Sequence, residues 1–97
     1  GAYFTHDGQL SIKQERYKHD FKPIDRECNC KVCRTYSRSY LRHLFKEQEI
    51  LSSMLASYHN LAFLNQMMNE IRLAISQNRF EQYRKDFLTR YKAGNIE

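Results

Sequence analysis

A chain of 97 residues with 41% hydrophobic and 28% charged residues and a mean hydropathy of −0.79 fits one small soluble domain, near the lower limit for a self-sufficient core, with no bilayer-spanning stretch and no membrane partner expected. The net charge of +5 and pI near 9.2 suit a polyanionic partner, though many ordinary domains are equally basic. Three cysteines, an odd number, argue against a disulfide framework and for a reducing, cytoplasmic setting.

The chain lacks an initiating Met and a leader pattern, and its strand-like opening Tyr3-Phe4-Thr5 reads as cut from something longer. Tyr3-Phe4-Thr5 and Leu10-Ser11-Ile12 flank His6-Asp7-Gly8-Gln9, in which Asp7-Gly8 is a strong turn pair, so a short β-hairpin is predicted. Residues Arg16 to Ile24 suggest another extended piece, with Pro23 holding it to an edge or to the entry of a cysteine loop. That loop runs from Asp25 to Cys33.

From Arg34 onward the period is helical, and no further glycine occurs until Gly94. A first helix is predicted over about Thr35 to Lys46, with Leu41, Leu44 and Phe45 inward, and a short one over about Glu49 to Ala56, presenting Ile50, Leu51, Met54 and Leu55. A long helix over about Tyr58 to Gln77 carries Leu61, Leu64, Met68, Ile71 and Ile75, one apolar stripe whose simplest use is core packing. Asn78 suits a left-handed helix-ending position. A last helix, about Phe80 to Tyr91, repeats the spacing with Phe80, Tyr83, Phe87 and Tyr91.

Cys28, Cys30 and Cys33 form Cys-x-Cys-x-x-Cys, close enough for their thiolates to converge on one ion, and leave a tetrahedral site one ligand short. Of the four histidines, His6 lies at the hairpin turn, His19 in a polar stretch and His43 within a helix. His59, beside Asn60 at the expected start of the long helix, is the choice for the fourth corner. A closed Cys3His zinc site has no open position for water, so its role is structural. In zinc-finger peptides such binding contributes on the order of 10 kcal/mol to folding. A redox Cys30-x-x-Cys33 pair belongs at a strand-to-helix turn of a βαβ unit, which this pattern lacks. An iron–sulfur cluster would want four cysteines.

The cysteine pattern with His59, together with Phe21-x-Pro23-Ile24-Asp25, Ser37-Arg38-x-Tyr40-Leu41-x-His43-Leu44, His59-Asn60-Leu61-x-Phe63, Ile71-Arg72-x-x-Ile75 and Arg79-Phe80, resembles the C-terminal zinc-binding region of tRNA-guanine transglycosylases, also called queuine tRNA-ribosyltransferases. The resemblance implies a parent enzyme on a (β/α)8 barrel that exchanges guanine for a 7-deazaguanine base at the tRNA anticodon wobble position, through covalent attack by an aspartate. It implies zinc on Cys28, Cys30, Cys33 and His59, and a homodimer interface at Tyr36, Tyr40 and His43. On one helix these last three would fall within roughly 60° of one another. Asp7, Asp20, Asp25 and Asp86 match no catalytic motif of the family. No catalytic residue is therefore assigned, and the chain alone is expected to be inactive.

Arg34, Arg38 and Arg42 recur every four residues, a spacing that could meet successive RNA phosphates or form a solvated basic face. The expected architecture is α+β: a hairpin and cysteine loop over residues 1–33, then three to four helices over residues 34–97 that complete the zinc site and pack on the rest of the barrel. The expected function is that of a zinc module supporting structure, tRNA docking and dimerisation. The competing readings are a noncatalytic subunit of such an enzyme, or a free-standing zinc module that binds nucleic acid or protein.

Overall fold

The structure, a computed structural model, describes residues 2–94. Strands β1 (Ala2–Thr5) and β2 (Gly8–Ser11) pair antiparallel in the register Tyr3↔Leu10 and Thr5↔Gly8. The Thr5 hydroxyl sets the turn by accepting from the Asp7 amide at 3.1 Å and donating to the Gly8 carbonyl at 2.6 Å. Gly8 takes a φ of 109°, which a side chain would oppose. The loop is therefore only His6-Asp7, and β2 begins two residues before the expected Leu10.

The extended piece expected over Arg16 to Ile24 is not formed. Glu15–Tyr17 makes one 3-10 turn, and the chain then proceeds through turns. Two groups hold it there: Ser39 donates its amide to the Asp20 carbonyl at 2.8 Å, and Arg38 donates to the Asp20 carboxylate at 3.0 Å and the Ile24 carbonyl at 3.1 Å. A segment whose polar groups are met from a neighbouring helix needs no strand partner.

The predicted first helix starts three residues late, and a short helix precedes it where the end of the cysteine loop was expected. Helix α1 (Lys31–Thr35) ends at an extended Tyr36, and α2 (Arg38–Glu47) begins after Ser37, whose hydroxyl accepts from the Tyr40 amide at 3.1 Å. A serine whose hydroxyl satisfies one of the four orphan amides favours a helix start there. A different error occurs downstream. The short and long helices expected over Glu49 to Gln77 are a single α3 (Glu49–Ser76) of 28 residues, because no glycine or proline interrupts that span. At 1.5 Å per residue it runs about 42 Å, most of the molecule's 47 Å long axis.

Asn78 ends α3 as expected, at φ 56°. The amides of Asn78 and Arg79 return to the carbonyls of Ile75 and Ala74 at 3.1 and 2.9 Å, the paired bonds of a Schellman motif. Helix α4 (Phe80–Gly94) then folds back along α3, with Phe87 6.5 Å from Phe63 and Tyr83, Phe87 and Tyr91 stacked in succession. Arg90 clasps the Asp7 carboxylate at 2.6 Å and also bonds Glu27, tying α4 to the hairpin and the cysteine loop. The Arg90 bond holds the Asp7 carboxyl below the usual carboxylate range.

The core gathers Tyr3, Leu10, Ile12, Tyr17, Ile24, Val32, Leu41 and Ala56 around the buried Cys28 and Cys33. Helix α3 faces it with Ser52, Ala56, His59 and Phe63, a helical stripe of mostly small and polar residues. The apolar stripe expected to form core lies elsewhere on the same helix: Leu61, Leu64, Met68 and Ile75 are 39% to 61% exposed. Periodicity identifies an apolar face without saying which neighbour covers it. No helix among the described residues is long and apolar enough to cross a membrane.

Candidate metal centre

The cysteine loop winds around one buried carboxylate. Asp25 accepts the His6 amide at 2.9 Å and the His6 Nδ1–H at 2.6 Å on one oxygen, and the Glu27 amide at 2.9 Å on the other. Its backbone carbonyl takes the Cys28 amide at 3.2 Å. Cys30 then caps α1, and the next turn begins with the Arg34 amide on the Cys30 carbonyl at 3.0 Å. The Cys30 amide points at Cys28 Sγ and the Cys33 amide at Cys30 Sγ, both at 3.5 Å. Tight turning thus puts three sulfurs on one side, with N–H dipoles aimed at two of them.

His59 comes from the middle of α3 rather than from a helix start, and it is fully buried. Its Nε2–H donates to the Phe4 carbonyl at 2.7 Å. A carbonyl only accepts, so this bond fixes the tautomer and leaves the Nδ1 lone pair free. That atom lies 3.3 Å from Cys33 Sγ, 3.4 Å from Cys30 Sγ and 3.9 Å from Cys28 Sγ. The four ligand atoms all fall within 4.8 Å of one another.

A tetrahedral zinc ion with Zn–S near 2.3 Å and Zn–N near 2.05 Å separates its sulfur and nitrogen ligands by about 3.6 Å. The observed spacings straddle that value, and all three cysteines are free thiols. Burial pushes the Cys28 and Cys33 thiols up and the His59 imidazole down in pKa. Without a cation, burial therefore favours the neutral forms of Cys28, Cys33 and His59. A bound divalent cation reverses the preference of the thiols and draws out their protons. The donor set is closed, so it suits a structural role and offers no place for an activated water.

Among the described residues one other grouping could hold an ion, His6 with Asp25 and Glu27. Its donors are already engaged, Asp25 by His6 and the loop amides and Glu27 by Arg90.

The sequence model of the family described as Queuine tRNA-ribosyltransferase matches residues 1–93. The chain is 58% identical over 92 residues to the queuine tRNA-ribosyltransferase of Treponema denticola, covering 95% of this chain and 24% of that protein. It is 53% identical over 92 residues to that of Fusobacterium nucleatum, covering 95% and 25%. With that of Caldanaerobacter subterraneus it shares 50% identity over 97 residues, covering 100% and 26%. The chain belongs to the queuine tRNA-ribosyltransferase family. It spans about a quarter of the length of these relatives.

In this queuine tRNA-ribosyltransferase family chain the four predicted ligands converge, whereas the other predicted site residues do not form one cluster. Tyr36 lies outside α2 and packs against the core, yet its ring stacks on that of Tyr40 at 5.2 Å and 13°. Tyr40 and His43 are exposed. The expected row of three arginines on one helix does not form, because α1 and α2 are separate. Arg42 is buried, donating to the Gln14 carbonyl and to Glu15, and Arg38 is occupied by Asp20 and Ile24. Arg34 is exposed.

Two contributors escaped the sequence reading. Asp25 organises the loop through an Asx turn to Glu27, a pattern that an Asp two residues before a loop amide can suggest. Asn60, noted only as a neighbour of His59, bonds the backbone of β1. No local signal announces a contact across 56 residues.

Proposed function

We propose that this chain is the zinc-binding C-terminal module of a tRNA-guanine transglycosylase, a cytoplasmic enzyme exchanging guanine for a 7-deazaguanine base at the anticodon wobble position of tRNA. One observation carries the reading: a buried Cys3His donor set at tetrahedral spacing, with the imidazole tautomer fixed for ligation, in a chain of this family. Zinc, when bound, supplies charge neutralisation and a crosslink between the cysteine loop and α3. The residues of the chain do the rest. Asp25 shapes the loop, Cys30 caps α1, and the Phe4 carbonyl orients His59.

The aspartates support leaving catalysis to other parts of the polypeptide. Asp25 is buried in loop bonds, Asp20 is held by Lys22 and Arg38, and Asp7 by Arg90. The exposed stripe Leu61, Leu64, Met68 and Ile75 offers α3 as the surface on which the (β/α)8 barrel of the parent rests.

The aromatic pair Tyr36 and Tyr40 with His43 is proposed as part of a homodimer interface, since a stacked, half-exposed pair presents rigid apolar area. Tyr40→Ala in the whole polypeptide is expected to weaken the dimer at least tenfold by sedimentation. An unchanged dimer would remove Tyr40 from the interface. For RNA, the proposal narrows to Arg34, with Arg38 and Arg42 serving the fold. Arg34→Ala is expected to weaken tRNA binding and to lower the slope of log affinity against log salt by about 1. Equal slopes for variant and wild type would exclude a phosphate contact.

The reading as a whole is tested by measuring zinc content and labelled-guanine incorporation into tRNA in the whole polypeptide. One equivalent of zinc and base exchange are expected, both lost in Cys33→Ala. Exchange without zinc would overturn the metal module, and zinc without exchange would overturn the enzyme assignment.

A further inference from the structure

Strand β1 has β2 on one side only, so the outward peptide groups of Ala2 and Phe4 need other partners. Two consecutive residues of α3 provide them. Asn60 Oδ1 accepts the Phe4 amide at 2.9 Å, and Asn60 Nδ2 donates to the Ala2 carbonyl at 3.0 Å. His59 Nε2–H donates to the Phe4 carbonyl at 2.7 Å. The carboxamide of Asn60, one acceptor and one donor in a plane, thus stands where the peptide of a third strand would stand. Phe4 is gripped on both sides of its Cα, its N–H by Asn60 and its C=O by His59.

We propose that Asn60 is a positioning residue of the metal centre: by holding the outer edge of β1 at the Ala2 carbonyl and the Phe4 amide it places the Phe4 carbonyl that aims His59 Nδ1 at the three sulfurs. The inference rests on the zinc reading above and adds to it a residue whose side chain bonds the backbone of β1 and none of the four ligand side chains. A ligating histidine depends on the partner of its second nitrogen, and removing such a partner typically costs 10–100-fold in metal affinity. Asn60 acts one bond further out and holds a peptide that the hairpin already restrains in part, so its loss belongs at the lower end of that range.

Asn60 is also chosen chemically. Aspartate keeps the acceptor for the Phe4 amide but sets a carboxylate oxygen against the Ala2 carbonyl, where a donor is required. Leucine keeps similar bulk and offers neither group.

The test uses the whole polypeptide, loaded with Co2+ as a spectroscopic probe and separately with Zn2+ for competition against a chelator. Wild type is expected to show the visible bands and sulfur-to-cobalt charge transfer of a tetrahedral Cys3His site, and His59→Ala to lose them. Those two samples test the zinc reading itself. Asn60→Leu is expected to shift the visible bands and to raise zinc release to the chelator about tenfold, with Asn60→Asp between it and wild type. A purely structural role for Asn60 predicts instead lower thermal stability with unchanged cobalt bands and unchanged zinc release, and that outcome overturns the proposal. Should Asn60→Leu fail to fold, Asn60→Asp decides on the same two readouts: wild-type bands and release rate in that variant would equally overturn it.

Discussion

Replacing His59 with Ala is expected to leave the protein with less than stoichiometric zinc after passage through a mild chelator, whereas His6→Ala and His43→Ala retain it. Structural zinc binding in finger peptides is worth about 10–16 kcal/mol, and one ligand in four is then worth roughly 3 kcal/mol, more than a hundredfold in affinity. The variant loses more than a ligand. The Phe4 carbonyl is left without its donor, and leaving a buried polar group unpaired costs about 1–3 kcal/mol. The vacated space also lies between Tyr3, 5.6 Å away ring to ring, and Phe63, 6.5 Å away. The two control histidines sit elsewhere, one bonded to Asp25 and the other exposed. Full zinc in His59→Ala would mean that the fourth corner of the site is some other group.

Removing the metal from the wild type is expected to have a still larger effect. Amide protection should be lost across residues 2–47 and return on adding Zn2+, while part of the helical signal of α3 and α4 persists. Cys28 and Cys33 belong to the core cluster itself. Without an ion, the chain must keep three thiols and an imidazole packed together with only their hydrogen bonds. The rest of the cluster is small for a chain of this length.

Acid provides a second route to the same state, and its sign follows from the ligands. Burial holds the His59 pKa below 6.5, so its neutral form contributes stability above that pH, and the contribution is lost as pH falls from there toward the folded pKa. Protons compete for the thiolates over the same descent, so zinc release and loss of protection should occur together below about pH 6. Unchanged protection in a sample proven free of metal would refute a structural role for the ion.

The convergence of Cys28, Cys30, Cys33 and His59 was legible because its evidence is local and chemical. Three thiols within six positions restrict what can hold them, and the family resemblance pointed to the same histidine. The geometric reason for choosing His59, a helix beginning near Tyr58, was mistaken: α3 starts at Glu49, and a helix middle approaches a strand as well as an end does. Other departures have their own causes. The apolar positions Leu41, Leu44 and Phe45 mark α2 but not its start, which the Ser37 cap sets, and α1 went unread because its residues are those of the cysteine motif. The face of α3 that meets the core reads Ser52, Ala56, His59, Phe63, which looks polar until the metal centre it encloses is known. The exposure of the Leu61 stripe was illegible for a different reason, since periodicity marks an apolar face without saying whether the described residues cover it.

The bond between the Phe4 amide and Asn60 spans 56 residues, and it has a temporal consequence. Polypeptides emerge from the ribosome amino end first, at about 5–20 residues per second. The outer edge of β1 therefore waits roughly 3–11 seconds, by that rate, before the side chains that cover it have been translated. In the later half of that interval an uncovered strand edge and three uncommitted thiols share one nascent segment, open to pairing with other chains. The outer edge of β1 is thus closed only when the middle of α3 arrives to seal it.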